Sequence, residues 1–405
     1  MANTLPTIDD ITLAALDVFE NSLYAVKCCS RKLEDSFGNK GGQIGDSVRI
    51  RKPAQFSIRS GQAWSGEDIE EQTDTLTLDK QKGVDFSMTS KERKLDLDSL
   101  TRQVLKPAIV RLANEVDADV LQDISQSTFN LVGTAGSTPS TMQSYIDAGA
   151  KLSDSACPRG NGERFLFVNP EMEGDIAYAL RDYFHRGAKI SGIFDSAEMG
   201  MYAAGHNWMM DQNVYRHTVG TYSGTPLVNG ASQSGASLIT NGWGSGASNL
   251  TVGDRFTIAN VNAVNPVTKS ALSSAQQFVV TTAISDTAGA MTITISPSIV
   301  GPGQRFQNVD ALPANDAAIT VVGTTGLVYS QGVSFNEEAV ALAIVPLEKP
   351  KGVNQASMKY DAQSGVGLRY IEWYDGDSDL WKSRFDVLYG IQTQRPEWSC
   401  VIAAA

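Results

Sequence analysis

Val252-Gly-Asp-Arg-Phe-Thr-Ile-Ala-Asn-Val-Asn-Ala-Val-Asn-Pro-Val-Thr-Lys269, with Phe278-Val279-Val280 shortly after it, is the stretch on which the fold of this chain turns. Arg255-Phe256-Thr257-Ile258 and Phe278-Val279-Val280-Thr281 have the composition of strands, and the Gly, Asn and Pro residues around them are turn formers. Working outward, Met291-Thr292-Ile293-Thr294-Ile295 and Ile319-Thr320-Val321-Val322 repeat the pattern between Gly, Pro, Asn and Asp turns. On the other side, no Asp, Glu, Lys or Arg occurs between His217 and Asp254, where Gly, Ser, Thr and Asn dominate. This change of composition predicts an all-β module of about 100 residues inserted into a chain of different character.

The flanking sequence is of mixed type. Before the module, the apolar strand Phe165-Leu166-Phe167-Val168 stops at Asn169-Pro170 and a helix is expected from Glu171 to Tyr183. Farther back, Leu105, Ile109, Leu112, Val116 and Val120 step by three or four, so a long amphipathic helix is expected from Leu97 to Gln126, with a kink or restart at Pro107. Period-two alternation in Val48-Arg49-Ile50-Arg51, Phe56 and Ile58, Leu76 to Leu78 and Val84 to Met88 predicts a long hairpin. Its limb carries Arg49, Arg51, Lys52 and Arg59; near its tip lie Trp64, Glu67, Asp68, Glu70 and Glu71. A hairpin so polarised reads either as a surface flap or as a head-to-tail contact between identical subunits.

At the N-terminal end, Thr7 and Asp10 resemble a capping signal. Ile11, Ala15, Val18, Phe19 and Val26 share one helical face, with Asp10, Asp17, Glu20 and Asn21 opposite. That acidic face is either solvated or an arm docked on a partner. After the module, Phe335 to Ala343 predicts a short helix leading to Pro346. Alternation returns from Val366 to Trp373 and from Trp381 to Val387, joined by the turn Asp375-Gly-Asp-Ser-Asp379.

At 405 residues the chain exceeds the roughly 250–300 at which one core stops growing. The formal charge of −12 disfavours tight binding to phosphate backbones, and many soluble enzymes share such an acidic balance. The four cysteines, Cys28, Cys29, Cys157 and Cys400, include only an adjacent pair, poor geometry for a mutual disulfide, so a reducing compartment is expected. Acidic residues precede Lys27, the first basic one, which is unlike a secretory signal, and no apolar run reaches membrane-spanning length.

Catalytic and ligand motifs are missing from the sequence. The three histidines, His185, His206 and His217, lack helical zinc spacing, and there is no Cys-x-x-Cys, nucleophile elbow or phosphate loop. Gly242-Trp-Gly-Ser-Gly246 has no strand and helix around it to make a dinucleotide site. Asp375, Asp377 and Asp379 are spaced like the opening of a calcium loop, but Leu380 replaces its glycine and no closing glutamate follows. No catalytic residue, metal or cofactor is expected. The reading from another class is a hydrolase or carbohydrate-binding enzyme with an inserted β-sandwich; a third is a phage tail or adhesin subunit.

In the order of these elements the chain resembles the P-twenty-two-type phage coat proteins, which carry an immunoglobulin-like insertion in the Hong Kong ninety-seven-type capsid fold. The resemblance is carried by Val252 to Lys269 with Phe278 to Val280, by Leu112-Ala-Asn-Glu-Val116, Phe167-Val-Asn-Pro170, Phe335 to Leu347 and Thr393-Gln-Arg-Pro396. It implies an α+β fold with an N-terminal arm at 1–47, an extended loop at 48–90, a peripheral domain with its spine helix at 91–135 and an axial domain at 136–228. The insertion would occupy 229–325, followed by a return through the axial domain at 326–349 and peripheral strands at 350–405.

The resemblance also implies a major capsid protein that builds the hexamers and pentamers of an icosahedral virion shell, assembled in the host bacterial cytoplasm. Implied partners are a scaffolding protein, a portal protein and further copies of the chain. Double-stranded DNA is enclosed without sequence-specific contact, no membrane is involved, and the procapsid expands on packaging. Candidate scaffold contacts are Asp10, Asp17 and Glu20. Candidate intersubunit contacts are the hairpin residues Arg49, Arg51, Lys52, Arg59, Trp64, Glu67, Asp68, Glu70 and Glu71. The uncharged segment Gly230 to Leu250 departs from the family, whose corresponding region carries a charged intercapsomer loop, so no contact residues are assigned there.

Overall fold

The computed structural model describes residues 8–31, 47–52, 56, 61–62, 64, 66, 68–69, 71–89, 105–160, 163–179, 203–244, 248–286, 288–345, 347–350, 355–361 and 366–405. These form two compact units. One comprises 1–50, 73–120 and 340–392, the other 51–72, 121–339 and 393–405. The content is α+β and mostly β.

In the first unit, Leu380–Thr393 is the shared strand. Lys80–Thr89 runs antiparallel along one edge, Val366–Asp375 pairs along the other, and Gln355–Asp361 pairs with Val366–Asp375. Tyr370 and Phe86 pack on Phe385 with ring centroids 4.7 and 6.1 Å away. The arm helix Ile8–Ser22 packs against Gln355–Asp361 and Val366–Asp375. Ala15, Leu16 and Phe19 of that helix are buried and Val18 half-buried, close to the expected face. The buried Asp117 carboxylate then accepts the N–H groups of Tyr24 (2.7 Å) and Val26 (3.1 Å), fixing the turn that leaves the helix.

Several expectations meet differences here. The hairpin's return limb is only Thr73–Thr77, paired with Ser47–Arg51, whereas Lys80–Thr89 belongs to the sheet just described. The sequence signal could not separate them, because both alternate with period two. The helix expected at Phe335 to Ala343 is the end of strand Val328–Asn336, one 3₁₀ turn Glu337–Ala339, and strand Val340–Val345. Almost the whole Val340–Val345 run is buried, and periodicity cannot tell such a run from a buried helix. The long helix runs Lys106–Ser127 with Ile109, Leu112, Val116 and Val120 buried, as is Leu105 just before it. Pro107 is its second residue, so the expected boundary falls at the described start; 97–104 lie outside the described residues, as does Thr7. The helix after Asn169 is Pro170–Ala179, and 180–183 are likewise outside.

In the second unit a body sheet has the order Leu131–Val132, Ser399–Ala403, Val328–Asn336, Arg164–Val168, Asn207–Met210. Helices Gln143–Asp154 and Pro170–Ala179 cover it through Tyr145, Ala148, Leu152, Met172 and Ile176. The last strand, Ser399–Ala403, thus lies in the body sheet and not with the strands of residues 355–393.

The β module is a six-stranded sheet: Ile319–Val321, Arg255–Val264, Ala271–Val280, Met291–Ile299, Gly235–Trp243, Gly224–Val228. Its outer strands meet. Leu227 bridges Ala318, and Val228 N–H donates to Ala317 O at 2.9 Å. The sheet therefore closes into a barrel. Closure removes both edges, and Phe256, Ile258, Phe278, Val280, Ile293 and Ile295 are among the side chains that fill the interior.

Candidate functional site: arm, loop and barrel seat

The charged loop is rooted by the Ser47–Arg51 and Thr73–Thr77 pair, whose inward residues Ile50 and Leu76 are buried with Ala341 and Ala343. Gly390 allows a close approach to this root. A Cβ there would lie 2.0 Å from the Thr77 carbonyl oxygen. Beyond the root, Lys52 N–H donates to Gln72 O at 2.8 Å, and Arg51 reaches Glu71 at 3.5 Å. Both partners of that ion pair are exposed, so it is worth about 0–1 kcal/mol. Part of the loop's charge polarity is thus met within the loop.

Arg49 and Asp68 are exposed, and Lys52 is half-buried. Trp64 is 87% exposed, Ile69 70% and Phe56 66%, an apolar set without cover along the loop. Arg59, Glu67 and Glu70 lie outside the described residues. On the arm helix Asp17 is exposed and Glu20 half-buried, with Leu13 exposed beside them; Asp10 is helical, but its side chain lies outside the description. The described residues of arm and loop therefore present exposed polar and apolar groups.

The residues that seat the barrel on the body were not singled out from sequence. Arg255 is fully buried. Its Nε donates to Thr128 O (2.9 Å), its Nη1 to Gly253 O (3.1 Å) and its Nη2 to Ser125 O, so it caps the C-terminal carbonyls of the long helix. A cation at that end also meets the negative pole of the helix dipole. Burial lowers the Arg255 pKa, opposed chiefly by Tyr329. Arginine remains charged, which makes these charge-assisted bonds.

Its neighbour Asp254 is also buried. It accepts His217 Nε2 (2.8 Å), Gly220 N–H (3.1 Å), Thr251 N–H (2.7 Å) and the Thr251 hydroxyl (3.2 Å). Gly220 is needed here, because a Cβ would sit 2.3 Å from Asn249 O. Gln277 completes the seat by bonding both backbone groups of Leu131, Oε1 accepting N–H at 2.7 Å and Nε2 donating to the carbonyl at 3.0 Å. The signal available in sequence was the Asp254-Arg255 pair breaking a long charge-free run at the start of an apolar strand.

The Asp375–Asp379 segment is a hairpin turn. Asp375 accepts Asp377 N–H (3.2 Å), the Ser378 hydroxyl (3.1 Å) and Lys382 Nζ (2.8 Å). Among the described residues no group of three or more His, Cys, Asp or Glu could hold a metal ion. All four cysteines are buried thiols outside any disulfide.

A family model described as P22 coat protein, gene protein 5, matches residues 16–401. The chain is 21% identical to a major capsid protein of Acyrthosiphon pisum secondary endosymbiont phage 1, over 96% of both chains. A structure from Mycobacterium phage Che8 is similar over 94% of this chain and 90% of its own, at 15% identity and TM-score 0.47. The CUS-3 coat protein I-domain matches 26% of this chain and 96% of its own at 36% identity, TM-score 0.18.

Proposed function

Because this chain belongs to the P22 coat protein family, we propose that its copies close, around a scaffolding protein, into an icosahedral procapsid that expands as DNA is packaged. The chain is the major capsid protein of a tailed phage, a structural protein and not an enzyme. The observation that carries this reading is the match of the family model across nearly the whole chain. Within the proposal the chain has the Hong Kong ninety-seven-type organisation, divided into the arm, loop, peripheral, axial and inserted parts given above. Within that organisation the all-β module is the inserted, immunoglobulin-like domain. A portal protein at one vertex and assembly in the host cytoplasm belong to the same proposal.

The exposed parts fit that role. A heterologous contact repeated around an axis closes a ring, and the loop's uncovered Trp64 and Ile69 supply apolar surface for a neighbour. Contacts of modest strength let wrongly placed subunits leave before the shell closes, and avidity holds the finished shell. The arm's Asp17 and Glu20 are the proposed scaffold contacts, with Asp10 on the same helix.

Electron microscopy of the purified chain, with and without its scaffolding protein, tests the assembly. Closed shells are expected with the scaffold, and Asp17→Lys should lower their yield several-fold while leaving the subunit's melting temperature unchanged. A monomer that stays monomeric with scaffold present would sink the assembly reading. An unchanged yield in the variant would remove Asp17 from the contact.

A further inference from the structure

Strand Lys80–Thr89 forms a border of the first unit's sheet. Among the described residues it pairs with Leu380–Thr393 alone, from Leu380 opposite Thr89 to Tyr389 opposite Lys80, without a bulge. At ten residues it is longer than the usual strand of about five or six. Alternate residues of a strand aim their N–H and C=O groups at opposite edges, so half of those in Gln81–Met88 point away from Leu380–Thr393. These outward backbone groups have no hydrogen-bond partner among the described residues.

An open edge of this length invites another strand, and folded proteins block such edges with a bulge, a proline or a charged side chain. Gln81–Met88 contains no proline, and its ladder is unbroken. Its two charged residues are both engaged inside their own unit. Lys82 Nζ lies 3.3 Å from Glu115 and 3.2 Å from Asp119 on the long helix. Asp85 accepts Arg384 Nε (2.7 Å) and Nη2 (2.8 Å) from the paired strand. Gln81, Gly83 and Ser87, the other exposed residues, are uncharged. Two other borders of the molecule are closed. Gln277 bonds both backbone groups of Leu131 at the edge of the body sheet, and the module's outer strands meet each other. Gln81–Met88 has neither kind of cover.

We propose that this edge is a strand-pairing site for a second copy of the chain: an extended segment of a neighbouring subunit adds to the sheet along Gln81–Met88 through backbone hydrogen bonds. The inference rests on the shell reading above, which surrounds each subunit with copies of itself. Copies that each carry a charge of −12 repel one another. A border whose own charges are already paired, and which offers neutral N–H and C=O groups, lets them meet without adding to that repulsion. Backbone pairing also asks little of the incoming side chains, so one edge serves neighbours placed in slightly different surroundings.

The test compares amide hydrogen exchange over Gln81–Met88 in the purified subunit and in shells assembled with scaffolding protein and then stripped of it, read residue by residue by fragmentation mass spectrometry. In the subunit alternate amides should exchange fast, and in the stripped shells those same amides should slow several-fold. The double variant Gln81→Lys, Ser87→Lys places charges on the edge, as natural edge strands do. It should lower shell yield several-fold while the subunit's melting temperature stays unchanged. Outward amides that are already slow in the subunit, or still fast in the shells, would overturn the proposal, as would an unchanged yield in the double variant. Protection that vanishes when the scaffold leaves would assign the edge to the scaffold and overturn it equally. A parent chain that forms no shells would instead overturn the shell reading on which the proposal rests.

Discussion

Replacing Arg255 by methionine tests how the barrel is seated. The substitution keeps much of the side-chain volume and removes the charge together with three donor contacts, to Thr128, Gly253 and Ser125 carbonyls. Removing the guanidinium also removes the unfavourable burial of its charge. What remains is a set of buried acceptors, each worth about 1–3 kcal/mol when left unsatisfied. Ser125 and Thr128 lie at the C-terminal end of helix Lys106–Ser127, where the last carbonyls have no intrahelical donor. These three orphans, offset by the recovered desolvation, give a net loss of about 3 kcal/mol, roughly a hundredfold in the opening equilibrium of the seat. Arg255→Lys keeps the charge, but one ammonium cannot span the acceptors of a planar fork, so about half the loss is expected.

The assay is native-state amide hydrogen exchange, followed at Phe256–Ile258 and across the last turns of the helix. Protection should fall at both places in Arg255→Met, while that of Val366–Asp375 in the other unit stays constant. Unchanged protection at the helix end would refute the reasoning. It would mean that the carbonyls find other donors and that Arg255 is not what holds the barrel.

Three further outcomes follow from particular contacts. His206 is buried, its Nδ1 meets Ala204 O at 3.1 Å, and burial with help from Arg164 pushes its pKa down to about 4 from 6.5. The unfolded chain therefore binds the proton first. The stabilisation is complete above pH 6.5 and is lost as pH falls through 4, by about 2 kcal/mol already at pH 5. Urea unfolding of parent and His206→Gln at pH 8 and pH 5 checks this: the parent should lose about 2 kcal/mol more than the variant, Asp211 being common to both, and parallel losses would contradict it. Gly390→Ala should destabilise the loop root by roughly 1–3 kcal/mol, since its Cβ meets the Thr77 carbonyl; an unchanged melting temperature with normal shell yield would show that the root yields freely. Raising salt from 0.1 to 1 M shortens the screening length from about 10 to about 3 Å, so assembly through the exposed loop charges should slow while subunit stability changes little. Equal sensitivity of both would count against a role for those charges.

Much of the architecture could be read from residue order. The period-three-to-four spacing of Leu105, Ile109, Leu112, Val116 and Val120 marked the long helix, and the uncharged run before Asp254 marked where the chain changes character. The loop, arm and body strand were legible for the same reason, because periodicity and turn chemistry are local. Sequence by itself marked the long helix, the arm helix, the body strand and the later strands of the module and, through its family, the role of the chain, but it misread Phe335 to Ala343 as a helix.

Tertiary structure alone decided how those elements pair. Lys80–Thr89 and Thr73–Thr77 both alternate, yet only the latter belongs to the loop, because the partner of a strand is chosen by a segment hundreds of residues away. Strand Val340–Val345 resembled a helix because burial on both faces erases alternation. The barrel's closure depends on Leu227 meeting Ala318, and its seat on Arg255 reaching Ser125 and Thr128. No spacing along the chain encodes such meetings. They are set by which buried polar groups must find a partner once the apolar faces have packed, and that requirement exists only in three dimensions.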